Sequence, residues 1–126
     1  MNNRSLGQLG EEHTCCYLQD KGYKILEKNF RNKLGEIDII AQQAGTICFI
    51  EVKTRKSNQY GEPFEAVHAA KQRKIVRVAL SYLKYKFKSV DVASRFDVIS
   101  INFNPLGQPV IEHLVDAFDL TYWRFY

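Results

Sequence analysis

This chain of 126 residues has few cysteines and lacks long apolar runs. One long stretch of it contains no acidic residue. Its three cysteines, Cys15, Cys16 and Cys48, are an odd number without a CxxC pair, which argues against a zinc site or a disulfide framework. They are predicted to be small, buried or partly buried residues in a reducing cytoplasm. Residues 1–12 contain no apolar leader segment, and no run approaches the roughly 18 apolar residues of a membrane span. These absences favour a cytoplasmic protein without a membrane partner.

The rest of the composition is that of an ordinary globular domain. Hydrophobic residues make up 45% of the chain and charged residues 25%. No repeat, low-complexity block or linker divides the sequence, so we expect residues 1–126 to form a single domain that is large enough to bury a core. The formal net charge of +4 favours an anionic partner such as nucleic acid.

Helical and extended patterns follow one another in the order helix, strands, helix, strands. Residues 5–21 lack proline and are followed by Gly22, which is typical of a helix and its C-terminal glycine. Apolar residues recur at helical spacing over residues 65–88, which predicts a second helix. Strands are predicted over 23–31, 35–43, 45–55, 95–103 and 110–115. The interleaving predicts an α/β or α+β class with a mixed sheet.

Four charged residues interrupt the most apolar segment, GEIDIIAQQAGTICFIEVKTR at residues 35–55. They are Glu36, Asp38, Glu51 and Lys53. The segment is otherwise mostly apolar and β-branched, which predicts two buried strands. Charged side chains within such strands need an explanation.

A hairpin with its turn at residues 44–45 explains the four charges by geometry. Its register places Asp38 opposite Glu51, and Glu36 opposite Lys53. Because side chains alternate between the two faces of a strand, all four lie on one face, at the end of the sheet away from the turn. The opposite face is wholly apolar and must be covered by the rest of the protein. It carries Ile37, Ile39, Ala41, Cys48, Ile50 and Val52.

The pairing of Asp38 with Glu51 indicates a metal site. Like charges that face each other destabilise a sheet by up to roughly 1 kcal/mol, and a shared proton or a bound cation relieves the repulsion. Carboxylates on rigid strands suit Mg²⁺ or Mn²⁺, and Lys53 on the same face can hold a water or a phosphate oxygen. This equipment is typical of metal-assisted phosphodiester hydrolysis. The alternative stays open that strand ends simply carry charges, with Glu36 and Lys53 forming a salt bridge.

Motifs spread over nearly the whole chain resemble one family. Asp38, followed by Glu51-Val52-Lys53 on the next strand, resembles the PD-(D/E)xK nuclease signature. The wider pattern resembles the YraN-like family of bacterial proteins, which is similar to archaeal Holliday-junction resolvases. Its motifs are GxxGE at 7–11, YLxxxGYxIL at 17–26, Asn29, GEIDIIA at 35–41, FIEVKTR at 49–55, YG at 60–61, AV at 66–67, Lys71, RFDVI at 95–99 and DAF at 116–118.

The resemblance implies a restriction-endonuclease-like fold, with a mixed central sheet flanked by helices and a metal site at one end of the sheet. It implies that Lys53 orients or activates the attacking water, and it keeps Glu36 as a candidate catalytic residue. The implied metal ligands are Asp38, Glu51, Glu11 and the carbonyl of Val52. Judged by its position alone, Glu11 is also explained as an acid that complements the dipole of the first helix.

The second predicted helix is basic, because no acid occurs between Glu65 and Asp91. Opposite its apolar stripe the cations form a face that can contact phosphates, although a solvated surface is the commoner meaning of such a run. Lys71, directly after the polar loop, is close enough in sequence to reach the acids. The candidate nucleic-acid-binding residues are Arg55, Lys56, Lys71, Arg73, Lys74 and Arg77.

The sequence thus favours a Mg²⁺- or Mn²⁺-dependent endonuclease acting on DNA, including branched or structured DNA. A second interpretation is a nucleic-acid-binding module that keeps the fold and the charge without turnover. A third is an adaptor for a protein partner, in which the acids serve only structure. Since the resolvases work as dimers, the resemblance also implies a homodimer.

Overall fold

Two helices and five strands follow one another in the order helix, three strands, helix, two strands. The computed structural model describes residues 5–56, 69–104 and 108–118. The elements are α1 (Leu6–Asp20), β1 (Lys24–Asn32), β2 (Gly35–Gln43), β3 (Thr46–Lys56), α2 (Ala69–Phe87), β4 (Ser94–Phe103) and β5 (Val110–Phe118). The order predicted from the sequence is confirmed. Residues 65–68 of the second predicted helix lie outside the described residues.

The five strands form one mixed sheet in the order β1-β2-β3-β4-β5. The pairs β1–β2, β2–β3 and β4–β5 are antiparallel, whereas β3 and β4 are parallel. The chain between β3 and β4 includes α2, as a parallel crossover requires. This α/β arrangement is compatible with the restriction-endonuclease-like fold that was expected. None of the helices in the described ranges has the length and apolar character needed to cross a membrane.

Each face of the sheet carries its own apolar core. The α1 core contains Cys15, Leu18, Tyr23, Ile39, Ala41, Cys48, Ile50 and Ile99. The α2 core contains Ile37, Ile40, Ile47, Phe49, Ile75, Val76, Val78, Ala79, Tyr82, Leu83 and Phe96. Burial of each large side chain contributes about 1.5–3 kcal/mol relative to exposure, so the two cores hold both helices firmly on the sheet. All three cysteines are free thiols, and Cys15 and Cys48 are buried as predicted, whereas the same prediction is wrong for Cys16, which is exposed.

The turn and register of the predicted hairpin are confirmed where β2 and β3 are paired. Residues 39–43 pair with residues 46–50 in the expected register. Ala44 and Gly45 have φ angles of 49° and 82°. Two successive residues with positive φ are what a two-residue hairpin turn requires, because this turn matches the twist of the flanking strands.

Helix α1 approaches β3 closely because Gly10 has no side chain. A Cβ atom at this position would overlap the side chain of Thr54 and would lie 3.1 Å from Ile101. On the same helix, the Thr14 hydroxyl donates a hydrogen bond of 2.7 Å to the carbonyl of Gly10. The close contact holds Glu11, the next residue, near the sheet.

Candidate active site at a fork in the sheet

Strands β2 and β3 separate at the end of the hairpin away from the turn. The backbone pairing that joins them ends at Ile39 and Ile50. Beyond this point β2 stays paired with β1 as far as Gly35, and β3 stays paired with β4 as far as Lys56. We call this separation of the two strands the fork. Four charged residues lie around it, namely Glu36, Asp38, Glu51 and Lys53.

The side chain of Asp38 bridges the fork. Its Oδ2 accepts a hydrogen bond of 2.8 Å from the backbone N–H of Val52 on β3. The prediction that Asp38 faces Glu51, and Glu36 faces Lys53, in a continuous ladder is therefore wrong. The physical reason is that each strand keeps its outer neighbour at these positions, so the two strands diverge before they reach them.

The alternation of side chains along β2 is also interrupted at Asp38. On β1, Asn29 lies between the positions that pair with Ile39 and Ile37, and its φ of 51° is in the left-handed region. Asn tolerates this conformation better than most residues do. Ile37 packs in the α2 core and Ile39 in the α1 core, so the prediction that the two residues share a face is wrong.

A cleft of about 220 Å³ opens onto Asp38 from the side of α1. Glu11 lines this cleft together with Asp38, so α1 brings a second carboxylate to the fork. The other lining residues are Gln8, Glu12, Cys15, Lys28, Asn29 and Ile39. Sequence reasoning assigned no role to Lys28 or Asn29. The available signal was the presence of Asn29 in the family pattern, since hydropathy does not distinguish either residue from ordinary surface.

Negative charge accumulates at the fork and acts on Asp38. Burial is the largest cause that raises the pKa of Asp38, which reaches about 7, and the charge on Glu51 is the second. Glu11 and Glu36 raise this pKa further, whereas the hydrogen bond from Val52 lowers it. All three carboxylates are therefore within electrostatic reach of Asp38. Near pH 7 a proton or another cation is needed to offset the repulsion.

Two lysines hold Glu51 on the other side of the fork. Its Oε1 lies 2.8 Å from Nζ of Lys71, on α2, and 3.7 Å from Nζ of Lys53, on β3. The side chains of Glu51 and Lys53 are 15% and 18% exposed, whereas that of Lys71 is 38% exposed. Burial and the neighbouring ammonium of Lys71 lower the pKa of Lys53. Burial opposes the charge on Lys71 too, but its hydrogen bond to Glu51 raises the pKa of Lys71 above its usual value.

The other predicted site residues lie around this centre. Glu36 forms an ion pair of 3.1 Å with Arg31 of β1, so the proposed salt bridge between Glu36 and Lys53 is replaced by a pair on the neighbouring strand. The candidate phosphate contacts Lys56, Arg73, Lys74 and Arg77 are exposed, and Arg55 is partly buried. The basic face of α2 thus begins beside the fork, where Lys71 contacts Glu51, and continues away from it.

The donors at the fork fit a divalent cation that is shared with a substrate. Among residues 5–56, 69–104 and 108–118, no three His, Cys, Asp or Glu side chains gather closely enough to hold a metal by themselves. Asp38 and Glu51 supply two carboxylates, one held by the backbone N–H of Val52 and the other by Lys71. Mg²⁺ commonly keeps several waters and binds through one or two carboxylates plus substrate phosphates. The residues present fit Mg²⁺ or Mn²⁺ in that form.

A second, buried polar cluster ties α1 to β4 and β5. Asp97 is fully buried and accepts hydrogen bonds from His113 Nε2 at 2.8 Å, Arg95 Nε at 3.1 Å and the backbone N–H of Asp116 at 3.0 Å. The hydroxyl of Tyr17 lies 3.0 Å from Nδ1 of His113. Burial opposes ionisation of Asp97, but these hydrogen bonds hold its pKa below the usual value. Sequence reasoning missed this cluster, although the alternation of Arg95 and Asp97 within an apolar strand was a signal for it.

Comparison with known proteins agrees with the motifs. The model of the uncharacterised protein family UPF0102 matches residues 10–101. A UPF0102 protein of Geobacter metallireducens is 51% identical over 97% of this chain and 98% of its own length. UPF0102 proteins of Geotalea daltonii and Chlorobium chlorochromatii are 49% and 46% identical, over 96% and 90% of this chain and 94% and 90% of their own lengths. The chain therefore belongs to the UPF0102, or YraN-like, family.

Proposed function

We propose that this protein is a nuclease that depends on a divalent metal and hydrolyses phosphodiester bonds of DNA, including branched or structured DNA. The observation that carries the proposal is the cluster of Asp38, Glu51 and Lys53 at the fork, where burial and the charge on Glu51 raise the pKa of Asp38 to about 7. Two carboxylates whose repulsion a cation relieves, beside a partly buried lysine, are the parts that metal-assisted hydrolysis uses.

Each residue at the fork has its own part in the proposed reaction. When bound, a divalent cation offsets the negative charge of the phosphate and makes water a better nucleophile. Asp38 and Glu51 would hold the cation from two different strands, which the hydrogen bond between Val52 and Asp38 ties together. Lys53 would direct the attacking water or a phosphate oxygen from its place beside Glu51.

The basic face of α2 supports a nucleic acid as the substrate. Lys74 and Arg77 follow Lys71 at intervals of three residues, so they lie on successive turns that lead away from Glu51. Both side chains belong to exposed residues, and exposed cations neutralise phosphates without reading sequence. A DNA backbone that follows these turns would bring a phosphate to the fork.

A non-catalytic nucleic-acid-binding module is the second candidate. One observation favours it, namely that Glu51 already lies beside two ammonium groups, those of Lys71 and Lys53. In this alternative the lysines satisfy Glu51 permanently, and the protein uses its basic face without turnover. The two candidates differ in whether a divalent metal changes the DNA.

The experiment that separates them is a cleavage assay on duplex, single-stranded, flapped and four-way-junction DNA, with Mg²⁺, with Mn²⁺ and with a chelator. We expect cleavage of at least one substrate by the wild type in metal, none in chelator, and none by Glu51→Gln. Glu112→Gln removes an exposed carboxylate of β5 and is expected to cut like the wild type. DNA binding without cutting in either metal would contradict the nuclease and favour the binding module. No binding at low salt would contradict both candidates.

A further inference from the structure

Lys71 makes the shorter of the two ion pairs with Glu51 at the fork. Its Nζ lies 2.8 Å from Oε1 of Glu51, whereas Nζ of Lys53 is 3.7 Å from the same oxygen. Glu51 therefore has two ammonium groups for one negative charge. Asp38 is held differently, by a hydrogen bond of 2.8 Å from the backbone N–H of Val52.

Because Lys71 lies so close to Glu51, its ammonium occupies part of the proposed metal site. The proposed metal site needs a cation that neutralises Asp38 and Glu51 together. Without metal, the Lys71 ammonium pairs with Glu51 at 2.8 Å, and the charge on Asp38 attracts the same ammonium. The ammonium is thus a singly charged substitute in the Glu51 half of a site for a doubly charged ion.

Lys71 is also placed so that it can leave. Its side chain is 38% exposed, against 15% for Glu51, so a path to solvent is open. A lysine on a four-carbon stem can swing away without a change in the helix backbone. A divalent ion close to Glu51 would repel the ammonium more strongly than the ammonium of Lys53 does, because the repulsion scales with the charge.

We infer that Lys71 is a positioning residue that competes with the divalent cation for Glu51 and thereby weakens metal binding in the absence of DNA. This inference rests on the proposed function, since it concerns the same carboxylates. It assigns Lys71 a role different from that of the exposed cations on the later turns of α2. It also predicts that removing a positive charge strengthens Mn²⁺ binding at position 71 and leaves it unchanged at position 74, on the next turn of the helix.

The test is the affinity for Mn²⁺, measured by calorimetry without DNA and at constant ionic strength. Lys71→Gln is expected to bind Mn²⁺ at least about ten-fold more tightly than the wild type, because the competing charge is removed. Lys74→Gln removes one exposed charge on the next turn and is expected to bind within about two-fold of the wild type. Lys71→Arg keeps the charge and is expected to bind as weakly as the wild type.

Equal or weaker Mn²⁺ binding by Lys71→Gln would overturn the inference, and so would tighter binding by Lys71→Arg. The Lys71→Arg arm keeps the inference falsifiable if Lys71→Gln does not fold. An absence of Mn²⁺ binding in every variant would contradict both the inference and the proposed metal site. Tight Mn²⁺ binding by Lys71→Gln, together with a wild type that cuts no DNA, would support the inference and contradict only the nuclease.

Discussion

Replacing Asp38 with Asn is predicted to stabilise the protein at alkaline pH when no metal is present. The carboxyl of Asp38 ionises near 3.8 in an unfolded chain and near 7 in the folded protein. Between these values the folded state binds a proton that the unfolded state has lost, so the free energy of unfolding of the wild type falls as the pH rises. The full penalty is present above about pH 7, and it is absent below about pH 4.

The size of the effect follows from the two pKa values. Their difference corresponds to about 4 kcal/mol at 1.36 kcal/mol per unit. Asn has nearly the same shape, and its side-chain oxygen can still accept the hydrogen bond from Val52. Burying the amide costs part of the gain, roughly 1–2 kcal/mol. The variant is therefore expected to be more stable than the wild type by about 2–3 kcal/mol at pH 8.5, and less stable by roughly 1–2 kcal/mol at pH 4, where only the cost of the buried amide remains.

The assay is urea unfolding followed by circular dichroism, with a chelator present, at both pH values. Glu112→Gln, which removes an exposed carboxylate of β5, controls for the loss of one charge and is expected to follow the wild type. Equal stability of the wild type and Asp38→Asn at pH 8.5 would refute the reasoning. Adding Mn²⁺ at pH 8.5 should stabilise the wild type and not the variant, because the cation binds the native carboxylates preferentially. An equal rise in both would place the metal elsewhere.

Three further predictions follow from the fold and the charges. Gly10→Ala should lower the free energy of unfolding by about 1–3 kcal/mol, because its Cβ would overlap the side chain of Thr54 on β3. Gly7→Ala is the control, since the nearest atom to its Cβ is 3.9 Å away, and it should lose no stability in the same urea titration. The depressed pKa of Asp97 predicts that stability is lost as the pH falls below about 4, and that Asp97→Asn shows a smaller acid dependence from a lower starting value. Removing Lys74 and Arg77 together should reduce the salt dependence of DNA binding by roughly two units of log–log slope, and an unchanged slope would mean that this face is only solvated.

Local features of the hairpin were predictable from the sequence because local chemistry determines them. The turn requires positive φ at residues 44–45, and Gly45 meets this requirement without strain. The apolar runs on either side then fix the register, since a slip of one residue would turn the core face to solvent. The helix bounds likewise follow from helical periodicity and from Gly22 after α1.

The fork was not predictable, because it depends on contacts that are distant in sequence. β2 separates from β3 where pairing with β1 and with β4 continues on either side. The partner of Glu36 is Arg31 for the same reason, since both lie on paired strands beyond the fork. A pattern read within one segment contains no information about which of two neighbours a strand keeps.

The role of Lys71 is the clearest case in which the sequence allowed two interpretations. A lysine near the start of a basic helix is an ordinary phosphate contact by composition. Helix α2 packs on the sheet through the α2 core, and this packing brings the first described turn of the helix to the fork. Lys71 forms its ion pair with Glu51 for that reason. The sequence therefore identified the residue, and the geometry is needed to assign its partner.

The most direct test of the central claim is a paired measurement of DNA cleavage and DNA affinity, on one substrate in Mn²⁺, for the wild type, Lys53→Ala and Lys84→Ala. Lys53 lies at the fork, 3.7 Å from Glu51, whereas Lys84 is exposed in the last turn of α2. We expect Lys53→Ala to cut at least about 100-fold more slowly while its affinity for DNA stays within a few-fold of the wild type. Lys84→Ala is expected to match the wild type in both measurements. Cleavage by Lys53→Ala at the wild-type rate would contradict the assignment of the fork as an active site.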